Sequence, residues 1–159
     1  MSLKTKSLQI AAAASIAIAT PLIATWEGLE TQAYKDIGGV WTVCYGETEK
    51  IQIGKIYSKE ECDELLRARV PDYYTSAMRH VSRDIPITMR AAITSFVYNI
   101  GEGNWKKSTM LKKVNKGDLK GACEELDRWV YVARMYVRGL YNRRQREKQL
   151  CLAELPVDI

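Results

Sequence analysis

Histidine is almost missing from this 159-residue chain, and His80 is the only one. A zinc centre built on two or more imidazoles therefore cannot be assembled, and a serine triad would have to use this single ring. The four cysteines, Cys44, Cys62, Cys123 and Cys151, contain no C-x-x-C pair, which argues against a zinc knuckle or a thioredoxin-type redox site. Disulfides and buried thiols both remain open for them, and neither a metal nor a cofactor is called for. Charged residues are absent from Leu8 to Ala24, and no repeat or low-complexity linker breaks the rest of the chain.

What is present fits one ordinary globular domain with a short appendage: 47% hydrophobic and 27% charged residues on a chain long enough to bury its own core. The net charge of +5 is uneven, because Arg128 to Lys148 holds seven basic residues and a single acid, Glu147. Such a cluster suits a polyanionic partner, whether nucleic acid, anionic lipid or bacterial cell wall, but it also suits a solvated helix face. No nucleic-acid-binding motif accompanies the charge, so nucleic acid is not expected as a partner.

Residues 1–25 read as a separate N-terminal helix. Lys4 and Lys6 precede an alanine-rich apolar stretch from Leu8 to Ala24, whose 17 residues sit at the lower limit for spanning a bilayer. Seven alanines with Ser15, Thr20 and Pro21 make it weakly apolar, able to enter a membrane and later leave it. Three readings are open: an uncleaved, releasable anchor; a signal peptide cut after the small-residue pattern Ala17-Ile18-Ala19; and the first helix of a soluble domain. The first two place the remaining chain outside the cytoplasmic membrane, where disulfides form.

Residues 26–159 read as the functional domain. From Trp26 to about Tyr57, Gly, Thr, Tyr and Val around Gly38-Gly39 predict a small, turn-rich antiparallel sheet lobe. Ser58 with Glu61 forms a capping box for a linking helix over about 58–70, which Pro71 ends or follows with a new start. A helical lobe over about 71–159 is expected, with helices near 72–82, 89–100, 108–116, 118–130 and 140–154. Thr88 and Asp118 are its expected N-caps, and Gly101 and Gly117 its stops. Its predicted core is Tyr73, Met78, Val81, Ile93, Phe96, Val97, Ile100, Leu111, Leu126, Trp129 and Leu150. The fold class is thus α+β, mainly α, with two lobes around a cleft.

Two carboxylates and a hydroxyl lie along the edge of the small lobe. Hydrolysis of a glycosidic bond needs one protonated carboxyl to donate to the leaving oxygen and one ionised carboxyl to direct water or stabilise positive charge. Glu27, following an apolar helix and Trp26, suits the first part; Asp36, before Gly38-Gly39 in a wet turn, suits the second; Thr42 could hydrogen-bond the water. Spacing alone is weak evidence, since acids before glycine are ordinary turn residues.

The spacing E-x8-D-x5-T formed by Glu27, Asp36 and Thr42, within W-E-G…Y-x-D-x-x-G-x-W-T-x-x-Y-G, resembles the phage-type lysozyme (muramidase) family. The likeness continues through Ser95-Phe96-Val97-Tyr98-Asn99-Ile100-Gly101, Trp105 with Ser108-Thr109-Met110-Leu111, Gly117-Asp118, and Leu140-Tyr141-Asn142-Arg143-Arg144, and so covers nearly all of Trp26 to Leu152. The resemblance implies an endolysin that hydrolyses the β-1,4 bonds between N-acetylmuramic acid and N-acetylglucosamine in peptidoglycan with inversion, lysing the host cell. Glu27 would be the general acid, Asp36 the water-directing base and Thr42 its helper, with the carboxyl groups about 6.5 to 9.5 Å apart to admit water. Asn99, Ser108 and Trp105 would line the sugar site, and Arg143 would orient Glu27.

The N-terminal stretch resembles the signal-anchor-release subset of that family. This implies a monomer exported from the bacterial cytoplasm, tethered to the inner membrane through residues 8–24, then periplasmic after release. With no cysteine before Cys44, a topological switch is expected and no thiol switch. Cys44 with Cys62 and Cys123 with Cys151 are the preferred pairings among three. A lytic transglycosylase would dispense with Asp36 and Thr42; an inert wall-binding module or a membrane-disrupting cationic segment would dispense with Glu27.

Overall fold

The structure, a computed structural model, describes residues 2–157. The first helix, α1 (Leu3–Glu27), starts where the Ser2 hydroxyl accepts the Thr5 N–H and stops at Gly28, whose φ of 69° leaves the helical region. It does not end at residue 25: Trp26 and Glu27, expected in the sheet lobe, are its last turn. One side of α1 seats Ser15, Ala19 and Ile23 against the protein, mainly on α3 (Ile87–Ile100), and Ser15 Oγ donates to the Ala11 and Ile87 carbonyls. The other side leaves Leu8, Ile10 and Ile18 in the open.

The small lobe is an antiparallel pair, β1 (Glu30–Lys35) and β2 (Trp41–Cys44), in register at Tyr34–Thr42 and Lys35–Trp41 with a bulge toward Glu30. The turn between them is closed by Asp36, whose Oδ1 accepts the Val40 N–H at 2.9 Å, and by Gly39 at φ 77°. A disulfide from Cys44 to Cys62 ties β2 to the first turn of α2 (Lys59–Met78).

Helix α2 carries the expected Ser58–Glu61 capping box, but Pro71 neither ends nor restarts it. Leu66 and Val70 are buried in the small-lobe core, with Ile23, Val43 and Tyr57, and Ala77 in the helical-lobe core. Each of the larger aliphatic side chains, such as Leu66 and Val70, contributes about 1.5–3 kcal/mol on burial, and the Ala77 methyl about 0.8 kcal/mol. Two anchored ends thus offset the hydrogen bond that proline removes, and the helix passes through.

Helix α3 lies at the centre of the helical lobe and is buried on all sides from Met89 to Val97. Around it run α4 (Glu102–Lys107), α5 (Thr109–Lys116), α6 (Leu119–Glu124), a 3-10 turn (Glu125–Arg128) and α7 (Arg138–Leu152), with Cys123–Cys151 joining α6 to α7. All eleven residues expected in this core belong to it or pack on it. Other expectations need correction. Helix α3 begins behind Pro86, so Thr88 is helical and not its cap; α4 was unforeseen; the 118–130 helix gives way to the 3-10 turn. A two-residue hairpin, β3 (Tyr131–Val132) with β4 (Met135–Tyr136), follows.

Candidate active site

Glu27 is the last residue of α1, three residues before β1. Its carboxyl is mostly covered, with 22% of the side chain exposed, and Oε1 accepts the Arg143 Nη1 proton at 2.7 Å. The carbonyl end of α1 and the Arg143 guanidinium thus meet on one carboxyl. The expected contact between Arg143 and Glu27 is present, made across 116 residues by the helical lobe.

Asp36 and Thr42 sit on the hairpin that follows. Asp36 is exposed, as expected for a wet turn, with one oxygen held by Val40 N–H. Thr42 is nearly buried, and its hydroxyl donates to the Val40 carbonyl at 3.2 Å. Both groups are therefore oriented through Val40, by a turn whose glycine makes the geometry possible.

Arg143 is held from behind. Its Nε donates to Glu147 Oε1 at 3.1 Å and its Nη2 to the Ser95 carbonyl at 3.1 Å. Glu147 is fully buried, accepts Ser95 Oγ at 2.6 Å, and faces Arg144 Nε at 2.9 Å in an ion pair whose angle departs from a hydrogen bond. Burial pushes the Glu147 carboxyl up, against the pull of Arg144 and Arg143. Burial pulls the Arg144 guanidinium down to about 10, so it stays charged at neutral pH, stacked 4.9 Å from the Phe96 ring. Tyr98 lies nearby, its phenol pushed up first by burial and next by the Glu27 charge.

The remaining residues expected at the sugar site divide. Asn99 is exposed and accepts from Arg144 Nη2 at 3.0 Å, which links it to the buried ion cluster. Ser108 is nearly buried; its hydroxyl caps α5 through the Leu111 N–H, and it lines a depression of about 360 Å³ with Lys107, Thr109, Glu125, Arg128 and Trp129. Trp105 does not line a surface at all: it is fully buried, donates to the Ala77 carbonyl and meets Phe96 edge-on. An indole of that size with an internal partner for its N–H is core.

Sequence reasoning missed Ser95, Arg144 and Glu147 as parts of the site. The available signal was Glu147 itself, the lone acid in a basic stretch, three and four residues after two arginines. The same stretch is less of a polyanion-binding surface than its composition suggested. Arg143 and Arg144 are buried, Arg128 pairs with Glu125 and Lys148 with Asp127.

Comparison with known proteins agrees with this geometry. Residues 24–147 match the phage lysozyme family model. A SAR-endolysin of Enterobacteria phage P21 is 46% identical over 127 residues, covering 79% of this chain and 77% of that protein. The muramidase domain of SpmX from Asticaccaulis excentricus superposes with a TM-score of 0.79 at 29% identity, covering 84% of this chain and 94% of that one. The active form of the P1 phage endolysin Lyz gives 0.76 at 25% identity, covering 87% and 85%. With the Glu27-to-Thr42 spacing, the two-lobed fold and these likenesses in agreement, the chain belongs to the phage lysozyme family.

Proposed function

We propose that Glu27 protonates the leaving oxygen of a peptidoglycan β-1,4 bond while Asp36 and Thr42 direct water to the opposite face of the muramic acid carbon, inverting it. The protein is an endolysin of the phage lysozyme family, and a glycoside hydrolase that acts on peptidoglycan. The observation that carries the residue roles is the grip of Arg143 on Glu27, which fixes the acid at the root of the hairpin bearing the other two groups.

The hydrogen bonds favour this division of labour. Thr42 donates its proton to Val40, so toward water its oxygen accepts. Asp36 Oδ1 is taken by the Val40 N–H, which leaves Oδ2 to accept from that water. A water that gives one proton to each group points a lone pair forward, and Asp36 removes its proton as the bond forms. Exposed Asn99 and the depression beside Ser108 are the proposed sugar-binding surfaces.

Helix α1 is long and apolar enough to cross a membrane, which is consistent with export and membrane anchoring. We further propose that the protein is first tethered to the inner membrane through residues 8–24 and becomes periplasmic and active on release. While α1 is in the bilayer, Glu27 lies three residues beyond Ala24, at the membrane surface, and the helical lobe cannot close on it.

The test is turbidity loss of outer-membrane-permeabilised Gram-negative cells by wild type and Glu27→Gln, with the released sugar ends identified. Lysis abolished by the substitution, with reducing muramic acid ends, is the expected result. Anhydro ends would make the enzyme a transglycosylase. Lysis surviving Glu27→Gln would move the activity to the apolar or basic segments.

A further inference from the structure

The guanidinium of Arg143 serves two carboxylates. Arg143 gives Nη1 to Glu27 and Nε to Glu147, and its remaining nitrogen, Nη2, donates to the Ser95 carbonyl. Glu147 has no exposed surface, and its other partners are Ser95 Oγ and the guanidinium of Arg144. A buried ion cluster of this kind costs more desolvation than leucine or methionine of similar size would, so stability alone does not account for it. Its contact with the proposed acid points to a role in the chemistry.

We infer that Glu147 is a positioning residue for the reaction: it clamps Arg143 from behind and offsets its charge, so that Arg143 orients Glu27 without holding it ionised. The inference rests on Glu27 being the general acid. Within the cluster, Glu147 is the carboxylate other than Glu27 that faces the guanidiniums of Arg143 and Arg144. A neutral side chain in place of Glu147 could still hold the guanidinium by a hydrogen bond, but the whole of its charge would then act on Glu27. An acid that has lost its proton cannot donate it, so the clamp and the offset are separable functions of one residue.

The other groups around the pair do not supply the offset. From α3, Tyr98 bears on Glu27 with its phenol pushed up by burial and by that charge, and Asn99 and Ser95 are neutral. From α2 and the loop after β2, Arg69 and Glu47 act on Tyr98 and are paired with each other. From the 3-10 turn, Asp127 is paired with Lys148.

The experiment is the pH profile of lysis per folded enzyme for wild type, Glu147→Gln, Glu147→Asp and Arg144→Gln, with folding checked by circular dichroism. Glu147→Gln should move the alkaline limb to lower pH by on the order of one unit, a roughly tenfold loss on that limb, and leave the acid limb in place. Glu147→Asp, which keeps the charge, should restore the limb even where the rate is lower. Arg144→Gln removes a positive charge and should move the same limb to higher pH. A uniformly lowered profile with an unmoved alkaline limb in Glu147→Gln and Arg144→Gln would make the cluster merely structural and overturn the inference. Should one of these variants fail to fold, the other decides, because the expected shifts have opposite signs. Glu27→Gln is run alongside: lysis surviving there overturns the acid assignment itself, whereas lysis lost there with an unmoved limb overturns only the role of Glu147.

Discussion

Ala133 and Arg134 turn the chain between β3 and β4 with φ of 47° and 67°, the left-handed region in which a two-residue hairpin favours Asn-Gly. A side chain held there costs on the order of 1 kcal/mol. Arg134→Gly should therefore stabilise the protein by about 0.5–1 kcal/mol, seen as a melting midpoint raised by roughly 1–4 °C, with lysis unchanged. An unchanged or lower midpoint would mean that the arginine side chain makes contacts that outweigh the backbone strain. The same two residues explain why the hairpin was illegible: the local chemistry that announces such a turn is missing from Val132 to Met135. The candidate site shows the same division between local and distant signals. Glu27, Asp36 and Thr42 could be proposed from sequence because they fall within sixteen residues of it, in a spacing that resembles the phage lysozyme family. The Ser95 carbonyl that holds Arg143 was not legible, because it reaches the guanidinium from another helix, 48 residues away. Trp105 misled because a large aromatic beside a sugar-site motif reads as a platform, and only the fold reveals that its N–H is used by Ala77.

Helix ends show how far a local rule reaches. Ser58, Ser108 and Asp118 cap α2, α5 and α6 with their own side chains; the caps at Ser58 and Asp118 were read from the few residues around them, whereas Ser108 was expected only at the sugar site. Helix α3 has no such cap, because Pro86 precedes it; instead Glu154, from beyond the end of α7, accepts the Thr88 N–H at 2.8 Å and its hydroxyl at 2.9 Å. A cap supplied 66 residues away leaves no trace near Thr88, which was therefore mistaken for one. The Thr88 N–H first, and its hydroxyl next, hold the Glu154 carboxyl below the usual range. Because the folded state favours the ionised form, the stability from this contact is present above the unfolded value of about 4.3 and fades as pH falls through the lowered folded value. Glu154→Gln should lack this component, so its melting midpoint should fall less steeply than that of wild type between about pH 5 and pH 3. Identical slopes would show that the contact does not persist in solution.

Across the whole molecule, α1 joins two duties that sequence reading assigned to separate units. It is the apolar stretch that suits a membrane, and it is also the rod whose last residue is the proposed acid, seated by Ala19 and Ile23. A division at residue 25 would separate Glu27 from the packing that holds it. A chain beginning at Thr25 should accordingly lyse permeabilised cells at least about tenfold more slowly than the full chain and melt at a lower temperature, since buried Ala19 and Ile23 go with the helix. Full activity in that shortened chain would show that Arg143 alone seats the acid. The placement of Glu27 at the tip of a single helix also has a kinetic consequence. Docked and undocked molecules differ in whether they hold an acid at all, so a mixture of them is a diluted sample of full-strength catalyst. The proposed sugar-binding residues Asn99 and Ser108 lie outside α1 and can hold substrate in either form, so a change that loosens α1 should lower apparent turnover in proportion to the docked fraction and leave the half-saturating substrate concentration where it was; a raised half-saturating concentration would show that only the docked form binds.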